Sequence, residues 1–323
     1  MLIWGGDSSL ASQGAFFNDG AAYEPERNRW RALPSTNAPT ARSHHVAVWT
    51  GAAMVVWGGR GADGARGDGA SFELRTAQWQ ALPREGALSP RQNAIAAWTG
   101  KELLVWGGAT EADRWLADGA RWRPGEAHWR NMASAQAPSP RSGASAVWTG
   151  RELVIWGGRN AQTAKGMLDD GAAYDPEADR WRPVAKAGAP AGRMDAAAVW
   201  TGSEVLIFGG KTSDGAEDAC EGAAYDPVSD HWRSVVAPGC LSRGSLRAAW
   251  APKGLLIVGE PEGDTVYPPR EGAFLPQRGN RWQNFRVGFG WPEAAAVWTG
   301  RALLLWGGFD GTNVVGTGVR IIP

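Results

Sequence analysis

The chain has 323 residues, with 33 basic and 33 acidic side chains and a formal net charge of zero. That balance argues against non-specific nucleic-acid binding, which needs a clear basic excess. No apolar run approaches the roughly 20 residues of a membrane-spanning helix, so no membrane span is expected. The unusual number is 20 tryptophans, and internal repetition accounts for most of them.

Taken in order, the chain repeats one module. A glycine pair recurs at Gly5-Gly6, Gly58-Gly59, Gly107-Gly108, Gly157-Gly158, Gly209-Gly210 and Gly307-Gly308, with a degraded copy at Gly259-Glu260. The spacing of about 50 residues is that of a propeller-type array rather than of shorter helical solenoids. Each pair follows an apolar run such as Val55-Val56-Trp57 or Leu103-Leu104-Val105-Trp106. Runs without polar alternation predict strands covered on both faces. A preceding strand ends in Trp-Thr-Gly, so residues 145–158 read as a hairpin closed by its glycine pair.

After a variable loop comes an eleven-residue cassette from Gly to Trp, at 20–30, 69–79, 119–129, 171–181, 222–232 and 272–282. Its Tyr-Asp-Pro corner is turn chemistry, because Pro presets φ and Asp caps its own backbone. Each module therefore predicts four strands, an inner hairpin followed by an outer one. Tryptophans close six first strands (Trp49, Trp98, Trp148, Trp200, Trp250, Trp298). Others precede five glycine pairs (Trp4, Trp57, Trp106, Trp156, Trp306) or end the six cassettes, which makes most of them core residues.

A double glycine after the second strand, a Tyr-Asp pair in the third and a Trp in the fourth resemble the kelch repeat, and the resemblance covers the whole chain. It implies an all-β kelch propeller forming a single domain over 1–323. Seven blades are expected, the first and last incomplete; six is the alternative. Met1 aligns with Met54 and Pro323 with the cassette proline. Counting by type then gives six first, seven second, seven third and six fourth strands. The chain is thus expected to begin inside a module, truncated at its N-terminal end, with an upstream segment supplying both missing strands. The module with Ala251-Pro252-Lys253-Gly254 in place of the Thr-Gly turn, Glu260 for a glycine and an odd 261–270 loop is either drifted or specialised.

The resemblance implies little about function, since kelch propellers include enzymes, sugar binders and docking modules. Galactose oxidase shares the architecture and holds copper through Tyr, His and a Cys-linked Tyr. Here the repeat accounts for Tyr23, Tyr174 and Tyr225, leaving only Tyr267, so no copper site and no cofactor is expected. His128 and His231 precede cassette tryptophans at a variable polar position, whereas His44 and His45 open an inner strand. No zinc spacing, nucleophile elbow or phosphate loop appears. Cys220 and Cys240 flank one outer hairpin, and strand ends that neighbour each other predict a disulfide. A bridge points to the periplasm or the extracellular space, although no signal peptide is visible; free thiols point to the cytoplasm.

One pattern has no evident core role. Arg42, Arg91, Arg141, Arg193 and Arg243 each lie seven residues before a first-strand Trp, and Trp291 takes that place in the last module. Propeller topology brings these links towards one mouth of the central channel. The next positions differ between modules and include His44, Asn93, Asp195 and Glu293. Read functionally, this is an Arg-lined binding site on a repeated scaffold. Read structurally, the acids before the cassettes (Asp19, Asp68, Asp118, Asp170, Glu221, Glu271) pair with the arginines and clip blades together. Trp115-Leu116, on the same face, is either an aromatic platform or a packing wedge. The expected function is a monomeric, non-enzymatic docking module for an acidic glycan or an acidic peptide. The alternative is a carbohydrate-active enzyme resembling N-acetylneuraminate epimerase, which requires Glu293, Asp195 and His44 to crowd one pocket.

Overall fold

The structure is a computed structural model of the chain. It describes residues 1–8, 14–110, 114–160, 166–212, 221–236, 246–259, 270–277, 281–288, 294–308 and 315–323. These residues form an all-β, seven-bladed kelch propeller, each blade an antiparallel sheet whose strands pair in chain order. Blade 2 is typical, with strands Val46–Trp49, Ala53–Trp57, Gly69–Glu73 and Gln78–Ala81. Blade 1 holds second, third and fourth strands (Leu2–Trp4, Gly20–Glu24, Arg29–Ala32), and blade 7 holds first, second and third strands (Ala295–Trp298, Leu303–Trp306, Gly318–Ile321). Strand counting thus gives the observed blade number, seven rather than six. No helix among the described residues is long and apolar enough to cross a membrane.

By internal contacts the chain divides into two units, Met1–Leu153 with Ala172–Pro183, and Val154–Gly171 with Val184–Pro323. Blades 1 to 3 belong to the first and blades 5 to 7 to the second. In both, the cores lie between sheets. Val46, Val55 and Trp57 of blade 2 pack with Leu103, Val105, Trp122 and Trp129 of blade 3. Leu206 and Phe208 of blade 5 pack with Leu255 and Ile257 of blade 6. The second strands Leu103–Trp106, Leu153–Trp156 and Val205–Phe208 are therefore buried at every position, and an unbroken apolar run suits that place. The module with the Pro252-Lys253 turn keeps four strands, and that turn has the same length as the Thr-Gly turns, with Ala251 paired to Gly254.

The cassette tryptophans join each blade to the one before it. Trp79, Trp129, Trp181 and Trp232 are buried, and each lies against the second-strand Trp of the preceding blade. The ring centroids of Trp4–Trp79, Trp57–Trp129, Trp106–Trp181 and Trp156–Trp232 are 4.6, 5.8, 5.7 and 4.8 Å apart. Their indole N–H groups donate to the carbonyls of Pro34, Pro83, Ala133 and Ala185 at 2.7–3.0 Å. Ala133 and Ala185 also carry an N–H, and Asp179 and Asp230 accept it at 2.9 and 3.0 Å while holding Tyr174 and Tyr225. Pro34 and Pro83 have no N–H to satisfy. The residues two before the matching tryptophans are Ala77 and Ala127 in those blades. An aspartate is present where the position after the cassette offers a backbone donor.

Candidate functional site

The arginine pattern lies at the glycine-pair edge of the blades. Arg42, Arg91, Arg141 and Arg193 are buried, none more than 2 % exposed. In the first unit, Arg42 donates to the Gly58 and Asp68 carbonyls at 3.0 Å, to Thr40 O at 2.9 Å, and to both Asp68 carboxylate oxygens at 3.0 and 3.2 Å. Arg91 repeats this with Gly107 O at 3.1 Å, Ser89 O at 2.9 Å and Asp118 at 2.8 and 2.9 Å. Arg141 donates to Ser139 O and Oγ at 2.9 and 2.8 Å. In the second unit, Arg193 donates to Ala191 O and Gly209 O, both at 2.9 Å.

The backbone of the same residue faces the other way. The Arg42 and Arg91 carbonyls accept the Gly6 and Gly59 N–H groups of the preceding blade at 2.9 and 2.8 Å. Gly158 N–H bonds Arg193 O at 2.8 Å. This close approach accounts for the glycine pair. Gly5 has φ +63°, and a Cβ there would lie 2.6 Å from Arg42 O. Each arginine is a staple, main chain on one blade and guanidinium in the next.

This corrects the expectation that the arginines face the channel. None of the four described guanidiniums keeps a solvent-facing side, because backbone carbonyls bond all four and carboxylates also bond those of Arg42 and Arg91. The carboxylate half of the structural reading holds for Arg42 with Asp68 and Arg91 with Asp118, both within a single blade. Arg243, Trp291, Glu293, Cys220 and Cys240 lie outside the described residues.

The variable positions beside the arginines also have a backbone cause. His44, Asn93, Gly143 and Asp195 all have positive φ, between 53° and 65°. Only Gly and a few short or polar residues adopt that region readily, so the choice among His, Asn, Gly and Asp is partly steric. The side chains of His44, Asn93 and Asp195 are nonetheless exposed at this corner. His44 Nδ1 lies 2.8 Å from Ser43 Oγ and 3.8 Å from Asp7 Oδ2. Both contacts fall on one nitrogen, whereas a proton relay uses opposite ring nitrogens. Asp195 lies 3.8 Å from Lys211 Nζ. Trp115 is half-buried and donates to Ser142 Oγ at 2.9 Å, which makes it a wedge.

Sequence reasoning missed the exposed cations of this edge. They occupy the position after the glycine pair: Arg60 in blade 2, Arg159 in blade 4 and Lys211 in blade 5. The inner hairpin continues past its glycines, pairing Ser43 with Arg60 and Met194 with Lys211, and so holds these residues in regular backbone. Arg60 also stacks over Phe16, 5.4 Å from the ring centroid. The signal was readable as a cation directly after three of the six Gly-Gly pairs, where the other three have Asp7, Ala109 and Phe309.

His45 sits beneath the glycine pair, where a Cβ on Gly59 would lie 2.8 Å from its own Cβ. Its Nδ1 is buried without a hydrogen-bond partner among the described residues. Burial first, then the Arg42 and His44 charges, lower its pKa from 6.5 to about 4. The unfolded chain therefore takes up a proton that the folded one resists. His45's contribution to stability is intact above pH ~6.5 and declines as pH falls towards 4, by about 3 kcal/mol in all. Melting curves across that range are expected to show a His45→Gln variant losing less stability with acid than the parent. Parallel acid limbs would refute the assignment.

A family model described as the KLHDC2/KLHL20/DRC7 Kelch-repeats domain matches residues 67–259, more than half of the chain. A search of curated proteins finds no match. With a recurrent glycine pair, a cassette Trp bonded to the blade before it and, among the described residues, five four-stranded and two three-stranded blade sheets, the chain belongs to the kelch-repeat family.

Proposed function

We propose that this kelch propeller is a non-enzymatic docking module that takes an acidic glycan or acidic peptide on its glycine-pair edge. The observation that carries this reading is the exposure of Arg159 and Lys211 at one equivalent position of adjacent blades. The buried arginines set the frame, and the post-glycine cations meet the ligand. Asp195, 3.8 Å from Lys211, tempers that charge and disfavours ligands that are only weakly acidic.

The test is binding of a hexaglutamate peptide and of sialyllactose to the wild type and to Arg159→Ala and Lys211→Ala. Removing one charge-assisted hydrogen bond is expected to weaken binding about tenfold, with an unchanged melting temperature because both side chains are exposed. Binding should also weaken with added salt. Affinity for neither probe in the wild type, or equal affinity in the variants, would sink this reading.

A further inference from the structure

At the opposite edge, where the Thr-Gly hairpins and cassette turns lie, a cleft of about 660 Å³ opens between blades 2 and 3. The next junction in the same unit, between blades 3 and 4, is filled at the matching place by Arg121. That side chain is 13 % exposed. Its Nη1 donates to Pro176 O at 2.5 Å and lies 3.8 Å from Glu102, and its Nη2 lies 3.9 Å from Asp179. The repeat maps each of these groups onto the cleft. Ser71 stands for Arg121, since Ser71 pairs with Val55 as Arg121 pairs with Leu104. Ala53 stands for Glu102, Ala127 for Asp179 and Pro124 for Pro176. All four line the cleft. The open space is therefore the place where the neighbouring junction carries a guanidinium, and only the carbonyl-bearing proline has been kept.

Negative charge is present in the cleft from another source. Its titratable lining residues are Glu73 and Glu126, with no basic residue among the lining. Glu73 follows Ser71 by two positions on one strand and so shares its face. Arg130 approaches Glu126 Oε1 at 3.4 Å, but Glu126 Oε2 is shielded from solvent with no hydrogen-bond partner among the described residues. Trp98 and Trp122 add indole walls. Aromatic faces, two carboxylates and a carbonyl suit a planar guanidinium better than a compact, strongly hydrated ammonium.

We propose that this cleft receives an arginine side chain of a partner protein, which takes up the role that Arg121 plays one junction further on. It is independent of the acidic-ligand reading, which concerns the other edge. The test is titration of N-acetyl-argininamide into intact protein with ¹⁵N-labelled tryptophan, followed by indole N–H signals. Saturable shifts at Trp98 and Trp122 are expected, with N-acetyl-lysinamide binding more weakly. Ser71→Arg should abolish the shifts by supplying its own guanidinium, and the separate Glu73→Gln/Glu126→Gln variant should weaken binding at least about tenfold. No saturable shift in the wild type, shifts that survive both variants, or equal binding of the lysine probe would overturn the proposal.

Discussion

Replacing Arg91 with Ala is expected to destabilise the protein by about 3–5 kcal/mol, because two backbone carbonyls lose their buried donor at about 1–3 kcal/mol each. The guanidinium is fully buried, and its loss strands the Gly107 and Ser89 carbonyls at 3.1 and 2.9 Å along with the Asp118 carboxylate. Asp118 itself is 56 % exposed at the side chain, so Asp118→Asn should cost only about 1 kcal/mol. The two losses differ because backbone carbonyls, rather than the acid, make the arginine indispensable. Urea unfolding of both variants measures the difference, and equal losses would mean that the surface ion pair alone accounts for Arg91. The Arg91 hydrogen bond also holds the Asp118 carboxyl below its ordinary pKa. That small contribution is present above the usual carboxylate range and is lost as pH falls through the lowered value.

Trp181→Ala is expected to cost a similar 3–5 kcal/mol through the cavity it leaves. The ring is fully buried, 5.0 Å from Tyr174 and 5.7 Å from Trp106, and its Nε1 donates to Ala133 O at 2.8 Å. Trp181→Phe separates packing from the hydrogen bond. It keeps most of the ring packing but leaves Ala133 O without its donor, a loss of about 1–2 kcal/mol. In a repeat array, neighbouring modules carry most of the coupling. Amide exchange should therefore rise first at Arg180–Pro183 and around Ala133. Protection lost evenly over all blades, or a Phe variant as damaged as the Ala variant, would contradict a nearest-neighbour role.

Blade number, strand order and the core role of tryptophans such as Trp57, Trp106, Trp156, Trp79, Trp129, Trp181 and Trp232 were legible in the sequence because each is written locally and repeated about every 50 residues. The first-strand tryptophans, also expected in the core, are instead half-buried, and Trp49 is 46 % exposed, because a first strand has less covering it than a second. An unbroken apolar run before Gly-Gly can only be a strand covered on both faces, and six such runs with a seventh before Gly259-Glu260 count the blades. The direction of the arginines was not legible. A residue seven positions before a Trp has the same spacing whether it points into a channel or into the next sheet. Its fate depends on carbonyls such as Gly58 and Asp68, 16 and 26 residues away, that only packing brings within 3.0 Å. The variety of His44, Asn93 and Asp195 looked like ligand choice, and the tertiary structure showed a positive φ that limits which residues can stand there. The cleft was hidden for a related reason. Ala53, Ser71, Pro124 and Ala127 are unremarkable one at a time, and they make a space only because two sheets meet there without the arginine that fills the neighbouring junction.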